Sequence, residues 1–295
     1  MISIIVTARN QAADLRSCLN AILDGADSDE LEIIVACNGC GDETAQVARG
    51  FGPAVRVVEM PAASHAHALN VADRAASAFP RFYLQAGVVC HLSSIRRMAK
   101  HLSDGLALAI APPFRIRADQ SGGIVRGFYE IAQRLPSHQD GLHGSSMFGL
   151  SQEGKQRFPH FPPVVAIEEF IRVSLEPDQF VRLENTRSRV TPPNTFGELL
   201  AAETELIRGV DQLRALDPSL PVDLGTDDRR VLRGLFTRRP DLWLELGIYI
   251  FVRVLARLLA SAAGKHAVDP WELLAQPTSD PPEAGDLVGE LQEPG

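Results

Sequence analysis

Arg81-Phe-Tyr-Leu-Gln-Ala-Gly-Val-Val-Cys-His-Leu92 is the stretch on which the fold turns. It reads as a buried strand over Phe82–Val89 that carries the small, uncharged triplet Gln85-Ala86-Gly87 at its exit. In open α/β sheets ligands collect outside the carboxyl ends of the strands, so this triplet is predicted to floor a site. Upstream lie three more apolar, β-branched runs, at Ile2–Thr7, Leu31–Ala36 and Val55–Met60. Each is followed by a helical pattern: Leu15, Cys18, Leu19, Ile22 and Leu23, then Thr44–Arg49, then His67–Ala78. Asn10 is placed to cap the first of these helices and Asp42 to start the second. Near-continuous apolar strands alternating with helices predict a mostly parallel sheet covered on both faces.

Downstream the rhythm loosens. The pattern predicts a helix at Ser93–Leu102, a strand at Leu106–Ala111, a helix at Ile124–Arg134, a polar loop at Pro136–His143 and a strand at Ser145–Leu150. A helix at Ile167–Leu175 holds Glu168 and Glu169 in its first turn, where carboxylates suit the helix dipole. Phe180–Leu183 reads as a strand, and Thr195 with Glu198 forms a capping box that opens a long helix to about Leu216.

The chain has 295 residues, 45% hydrophobic and 22% charged, with a net charge of −8, which disfavours a nucleic-acid partner. Met1 runs directly into the first strand without a basic leader, and four scattered cysteines fit a reducing compartment, so a cytoplasmic protein is expected. Cys37-Asn-Gly-Cys40 has redox or metal spacing, but no second pair completes a zinc site. Leu242–Ala263 is the most hydrophobic region. Glu245, Arg253 and Arg257 interrupt it short of the roughly 20 apolar residues of a membrane span. It either packs on the sheet domain or lies at a membrane interface, with Trp243 and Tyr249 as anchors and Arg253 and Arg257 toward headgroups. Residues 266–295, acidic, Pro-rich and without Lys or Arg, are expected to be disordered.

Four segments in order carry a resemblance: Ser3-Ile-Ile-Val-Thr-Ala-Arg-Asn10, Ile33-Ile-Val-Ala-Cys-Asn-Gly-Cys-Gly-Asp-Glu-Thr44, His65-Ala-His-Ala-Leu-Asn-Val-Ala-Asp73 and Tyr83-Leu-Gln-Ala-Gly87. Together they resemble family-2 glycosyltransferases of the GT-A fold, over about residues 1–215. The resemblance implies a Rossmann-like, mostly parallel sheet flanked by helices. It divides into a nucleotide-binding half (1–112) and an acceptor half (113–215), followed by a C-terminal helical extension (216–265). It also implies transfer of a sugar from a nucleotide-sugar donor (a UDP, GDP or TDP sugar) to a hydroxyl of a sugar, lipid-linked or small-molecule acceptor, with inversion.

Carried over residue by residue, the resemblance places Thr7, Ala8, Arg9 and Asn10 in the loop that meets the nucleotide. Cys37 and Asn38 stand where relatives keep a carboxylate for the base, and Asn38 still offers amide donors and an acceptor. His65 takes the place of a Lys that reaches toward the donor, and a neutral His supplies far less positive charge unless its pKa is raised. Gln85-Ala86-Gly87 replaces the Asp-x-Asp whose carboxylates hold Mg²⁺ or Mn²⁺, so metal binding is disfavoured there and no metal ligand is assigned. Asp140–Ser151 resembles the Gly-rich acceptor-side segment. Glu168 and Glu169 match the acidic pair whose second member, Glu169, is implied as general base. Arg208 falls where relatives place a basic residue on the diphosphate, and Arg9, His65 and Arg208 together are candidates to replace the missing cation.

Two other classes compete with this reading. A degenerate relative would bind a nucleotide-sugar or a partner without turnover, as the loss of both metal carboxylates suggests. A nucleotidyltransferase would use a similar sheet, but it would need a Gly-rich, basic first loop that this sequence lacks.

Overall fold

The computed structural model describes residues 1–61, 64–119, 121–139, 146–218 and 226–263. The expected tail (266–295) and the first half of the acceptor-side segment (140–145) lie outside these residues.

Four parallel strands form the first half of a seven-stranded sheet: β1 (Ile2–Ala8), β2 (Leu31–Asn38), β3 (Val55–Met60) and β4 (Arg81–Gln85). The helices α1 (Ala12–Leu23), α2 (Thr44–Arg49) and α3 (His65–Ala75) connect them. Strand alternation sends side chains to opposite faces. Ile4, Val6, Ile33, Val35, Phe82 and Leu84 therefore enter one core, while Ile5, Ile34, Ala36 and Tyr83 enter the other. Burial on both faces is why β1, most of β2 and β4 are largely apolar, whereas the edge strand β3 exposes Arg56 and Glu59. Their register sets Thr7 against Gln85 and Ala8 against Cys37, so the exits of β1, β2 and β4 lie side by side.

The expected strand over Phe82–Val89 divides at the triplet. β4 ends at Gln85, and the chain turns through Ala86 and Gly87 into β5 (Val88–Cys90), which belongs to a second sheet. Then come α4 (Leu92–Ser103), β6 (Ala109–Ala111), β7 (Phe114–Ile116), α5 (Gly123–Ala132), the single turn α6 (Pro136–Gln139), β8 (Met147–Leu150), α7 (Gln152–Gln156), α8 (Ile167–Val173), β9 (Phe180–Arg182) and β10 (Ser188–Val190). The large sheet has the order β3-β2-β1-β4-β8-β6-β9, with β8 antiparallel to its neighbours β4 and β6. The small one is β5-β10-β7, with β10 antiparallel to β5 and parallel to β7.

Opposite the site end, Asp73 of α3 is buried between Arg81 (2.8 Å), Lys155 (3.0 Å) and the Tyr83 hydroxyl (2.6 Å). Two cations and a hydroxyl satisfy the carboxylate there and fix α3 against β4 and α7.

The chain ends in α9 (Phe196–Leu216), α10 (Thr226–Arg238) and α11 (Trp243–Ala263). Thr195 and Glu198 make both bonds of the predicted capping box. One face of α11 packs on the domain: Leu246, Tyr249 and Val252 join Val125 and Phe128 of α5, and the Phe128 and Tyr249 rings stack at 5.1 Å. Arg253 donates to Glu203 of α9 at 2.7 Å. Tyr249 and Arg253 are thus engaged inside the fold, which removes two of the groups expected to face a membrane. The opposite face, with Leu244, Phe251, Val254 and Leu258, is exposed. Among the described residues no helix is long and apolar enough to cross a membrane.

Candidate active site

Two adjoining cavities open at the carboxyl ends of β1, β2 and β4. One, of about 430 Å³, is lined by Thr7, Ala8, Arg9, Asn38 and His65, with Val165 and Glu205 across from them. The other, of about 270 Å³, is lined by Gly87, Glu168, Glu169, Thr191 and Glu203 among others. Gln11, Gln85, Val165 and Glu205 line both, so the two form one crevice with Gln85 at the junction. The turn below it is held by backbone bonds: Gln85 N–H to Ser146 O (3.0 Å), Ala86 N–H to Thr7 O (2.9 Å) and Thr191 N–H to Gly87 O (2.9 Å). Ala86 is fully buried and lines neither cavity.

In the larger cavity, the Asn38 amide donates to Ala8 O (3.1 Å), which couples the ends of β1 and β2 and leaves its carbonyl available. Arg9 is exposed and lines the cavity. Asn10 does neither of the things expected of it. Its φ is +52°, its side-chain oxygen accepts from Gly41 N–H (2.8 Å), and it neither lines a cavity nor caps α1. The start of α1 is held instead by Thr44 Oγ1, which accepts from Gln11 N–H (2.9 Å), so Asn10 props the loop from outside.

His65 is the first residue of α3, whose cap is Ser64. Burial pushes its pKa down to about 4, so at neutral pH the imidazole is uncharged. Arg208 is exposed on α9 and lines neither cavity; the turn before it brings Glu205 to the crevice instead. Of the three groups proposed to replace the cation, only Arg9 is both charged and present at the larger cavity.

Glu168 and Glu169 differ sharply. Glu169 is 2% exposed, and both its oxygens are taken by Arg172, with Nε donating at 2.9 Å and Nη2 also bonded. Glu168 is half-buried at the crevice. Burial raises its pKa to about 7, with a smaller push from the Glu169 charge, and backbone hydrogen bonding within Glu168 and, more weakly, the Gln85 amide partly offset this. Adjacent residues on a helix point about 100° apart; Glu168 and Glu169 both line the cavity, but only Glu169 is paired with the Arg at i+3. The resemblance implies Glu169 as base; in the structure Glu169 is paired with Arg172, and Glu168 carries the raised pKa.

The resemblance implies a divalent cation at the exit of β4. The donor set there is the Gln85 amide with the backbone of Ala86 and Gly87. No group of three or more His, Cys, Asp or Glu gathers among the described residues. Hard divalent cations take carboxylate oxygens, and these residues do not fit one. Cys37 and Cys40 are free thiols, the first pushed up to about 12 by burial, while Cys40 donates weakly to Ala8 O (3.5 Å).

Sequence reasoning missed Gln11, Thr191 and Glu205. Gln11 directly follows the recognised loop, and Glu205 sits three residues before Arg208 on the same helix. Thr191 follows a strand too short to register as a pattern.

Comparison with known proteins agrees with this fold. The chain is similar to a mannosyltransferase from Pyrobaculum calidifontis solved with GDP-Man and Mn²⁺, at 18% identity and a TM-score of 0.57, covering 92% of this chain and 77% of that one. It is also similar to glucosyl-3-phosphoglycerate synthase from Mycobacterium tuberculosis solved with phosphoglyceric acid, at 18% identity and a TM-score of 0.54, covering 73% and 79%. No curated protein matches the chain. The model of glycosyl transferase family 2 matches residues 3–149, the segment that holds β1 to β8 and the crevice floor, and through it the chain belongs to glycosyl transferase family 2.

Proposed function

We propose that the chain transfers a sugar from a nucleotide-sugar donor to an acceptor hydroxyl with inversion, with Glu168 as general base and without a divalent cation. The observation that carries this reading is the Glu168 carboxyl, half-buried beside Gln85 where the two cavities meet, with a pKa near 7. A base titrating near the working pH is the most effective one.

The larger cavity would take the nucleotide diphosphate, with Thr7, Asn38 and Arg9 on one wall and the first turn of α3 on another. The smaller one would take the acceptor. In a single displacement the acceptor oxygen attacks the anomeric carbon from the side opposite the diphosphate, its proton passes to the Glu168 carboxylate, and the bond to the diphosphate breaks with its electron pair. The leaving charge would meet Arg9 and the amino end of α3, where free backbone N–H groups and the dipole favour anions. The larger cavity is lined chiefly from residues 1–112 and the smaller chiefly from 113–215, which supports the division into donor and acceptor halves. Free thiols support a reducing, cytoplasmic setting.

Thermal-shift screening with UDP, GDP and TDP sugars, followed by turnover of the bound donor in wild type and Glu168→Gln, tests the proposal. Donor turnover that is lost in Glu168→Gln supports it. Donor binding with no turnover on any acceptor favours a degenerate binding protein, the reading that the missing Asp-x-Asp motivates.

A further inference from the structure

Two Arg-x-Arg pairs, Arg115-Ile-Arg117 and Arg187-Ser-Arg189, lie 70 residues apart in the chain and are brought together by the small sheet. β7 and β10 run parallel with Arg115 opposite Arg189. Alternate residues of a strand share a face, so the pairs form a staggered row: Arg187, then Arg189 beside Arg115, then Arg117. At about 6.6 Å per two residues the row is roughly 13 Å long.

All four guanidinium groups line one concavity of about 430 Å³, together with His91, Gln133 and Ser188. Arg117 is paired with Asp119, and no ion pair occupies Arg115, Arg187 or Arg189 among the described residues. Like charges placed directly opposite on neighbouring strands are destabilising. The chain carries a net charge of −8, so the row does not follow from a basic composition.

We propose that this row is a second binding site, for a phosphate-bearing ligand. Planar guanidinium groups match phosphate oxygens bidentately, and several in a row suit more than one phosphate. The site lies across the small sheet from the crevice: Val88 and Val190 line the acceptor-side cavity, while their strand neighbours Val89 and Arg189 line the arginine concavity. Thr191, which follows β10, is bonded to Gly87 on the crevice floor, so a ligand on the row bears on the wall of the active site. The phosphate has two sources, a soluble phosphate ester or an anionic lipid headgroup.

The test uses the full chain, with inorganic pyrophosphate followed by calorimetry at low salt, and flotation with phosphatidylcholine vesicles with and without phosphatidylglycerol. Wild type is expected to bind at least one of the two phosphate probes. Raising the salt should weaken that binding, and R115Q/R189Q should weaken it at least tenfold while its melting temperature stays level or rises. The same component should persist in R9Q, which separates it from the donor cavity. Pyrophosphate binding without flotation identifies a soluble ligand; flotation only with phosphatidylglycerol identifies the headgroup. Absence of binding to both probes, equal binding by R115Q/R189Q, or loss of the whole signal in R9Q would overturn the site.

Discussion

Gln85 and Glu168 line the same cavity, and the Gln85 amide favours the charged form of the Glu168 carboxyl. Burial, the largest effect, disfavours that form and is only partly offset by backbone hydrogen bonding within Glu168 and by Gln85, which leaves a pKa of about 7 instead of the roughly 4.3 of a free glutamate. Glu168 must be ionised to accept a proton. We therefore expect kcat/KM to rise with pH on a limb centred near 7 and to level above it. Gln85→Leu removes the donor, raises the pKa further and should move that limb to higher pH by about 0.5–1 unit. A limb near 4–5 in wild type, or one that Gln85→Leu moves downward, would refute the assignment.

Substituting the two glutamates should separate chemistry from stability. Glu168→Gln keeps the shape but cannot take a proton, so turnover should fall by about 10²–10⁴-fold with donor binding retained. The folded pKa of Glu168 lies above its unfolded value, so its ionisation destabilises the fold as pH rises from about 4.5 through 7. In urea titrations at pH 8, Glu168→Gln should then be more stable than wild type by about 1–3 kcal/mol, and the gain should vanish at pH 4. Glu169→Gln should behave oppositely: it breaks the pair with Arg172 and costs about 1–2 kcal/mol, the half-exposed Arg172 being able to recover solvent. Near-wild-type turnover in Glu168→Gln together with its loss in Glu169→Gln would return the base to Glu169.

Metal dependence is a property this chain should gain on substitution. A side chain at position 87 would meet Gln11 Nε2 at 3.4 Å and Thr191 Cβ at 3.9 Å, which are tolerable contacts. Gln85→Asp/Gly87→Asp therefore restores two carboxylates without rebuilding the turn. The variant is expected to bind Mn²⁺ in the presence of donor and to become sensitive to chelator. Wild-type turnover should be unchanged by EDTA; its strict loss, restored by Mn²⁺, would contradict the metal-independent reading.

What the sequence disclosed follows from how far each signal reaches along the chain. β1, β2 and β4 were legible because both of their faces are buried, β3 because its residues are β-branched, and the capping box at Thr195 and Glu198 because its bonds span only three residues. The small sheet was not legible. Its strands are three residues long and meet from positions 88, 114 and 188, and the apolar run Phe82–Val89 hides the passage from one sheet to the next. At the site, the order of motifs brought Thr7, Arg9, Asn38, His65 and Gln85 to one crevice, but not Asn10, Ala86 or Arg208. The sequence identifies Glu168 and Glu169 as a pair. Both line the cavity, and what separates them is the ion pair of Glu169, for which Arg172, three residues further on, was a clue.

Gly209 packs against the residue that precedes α8, and it supplies the sharpest structural test. It sits in α9 against the backbone that leads into α8, and a Cβ there would fall 2.8 Å from Ala166 N and 3.0 Å from Ala166 Cβ. Ala166 immediately precedes α8, so any adjustment moves Glu168 relative to Gln85. Gly209→Ala is expected to cost about 1–3 kcal/mol by overpacking. A shift on the order of 1 Å at the base should lower kcat by about 10²-fold. Gly197, at the start of the same helix, has nothing within 4 Å of its would-be Cβ. Gly197→Ala should therefore stabilise by a few tenths to about 1 kcal/mol and leave kcat unchanged. Equal effects of the two substitutions on kcat would show that the seating of α8 against α9 does not position Glu168.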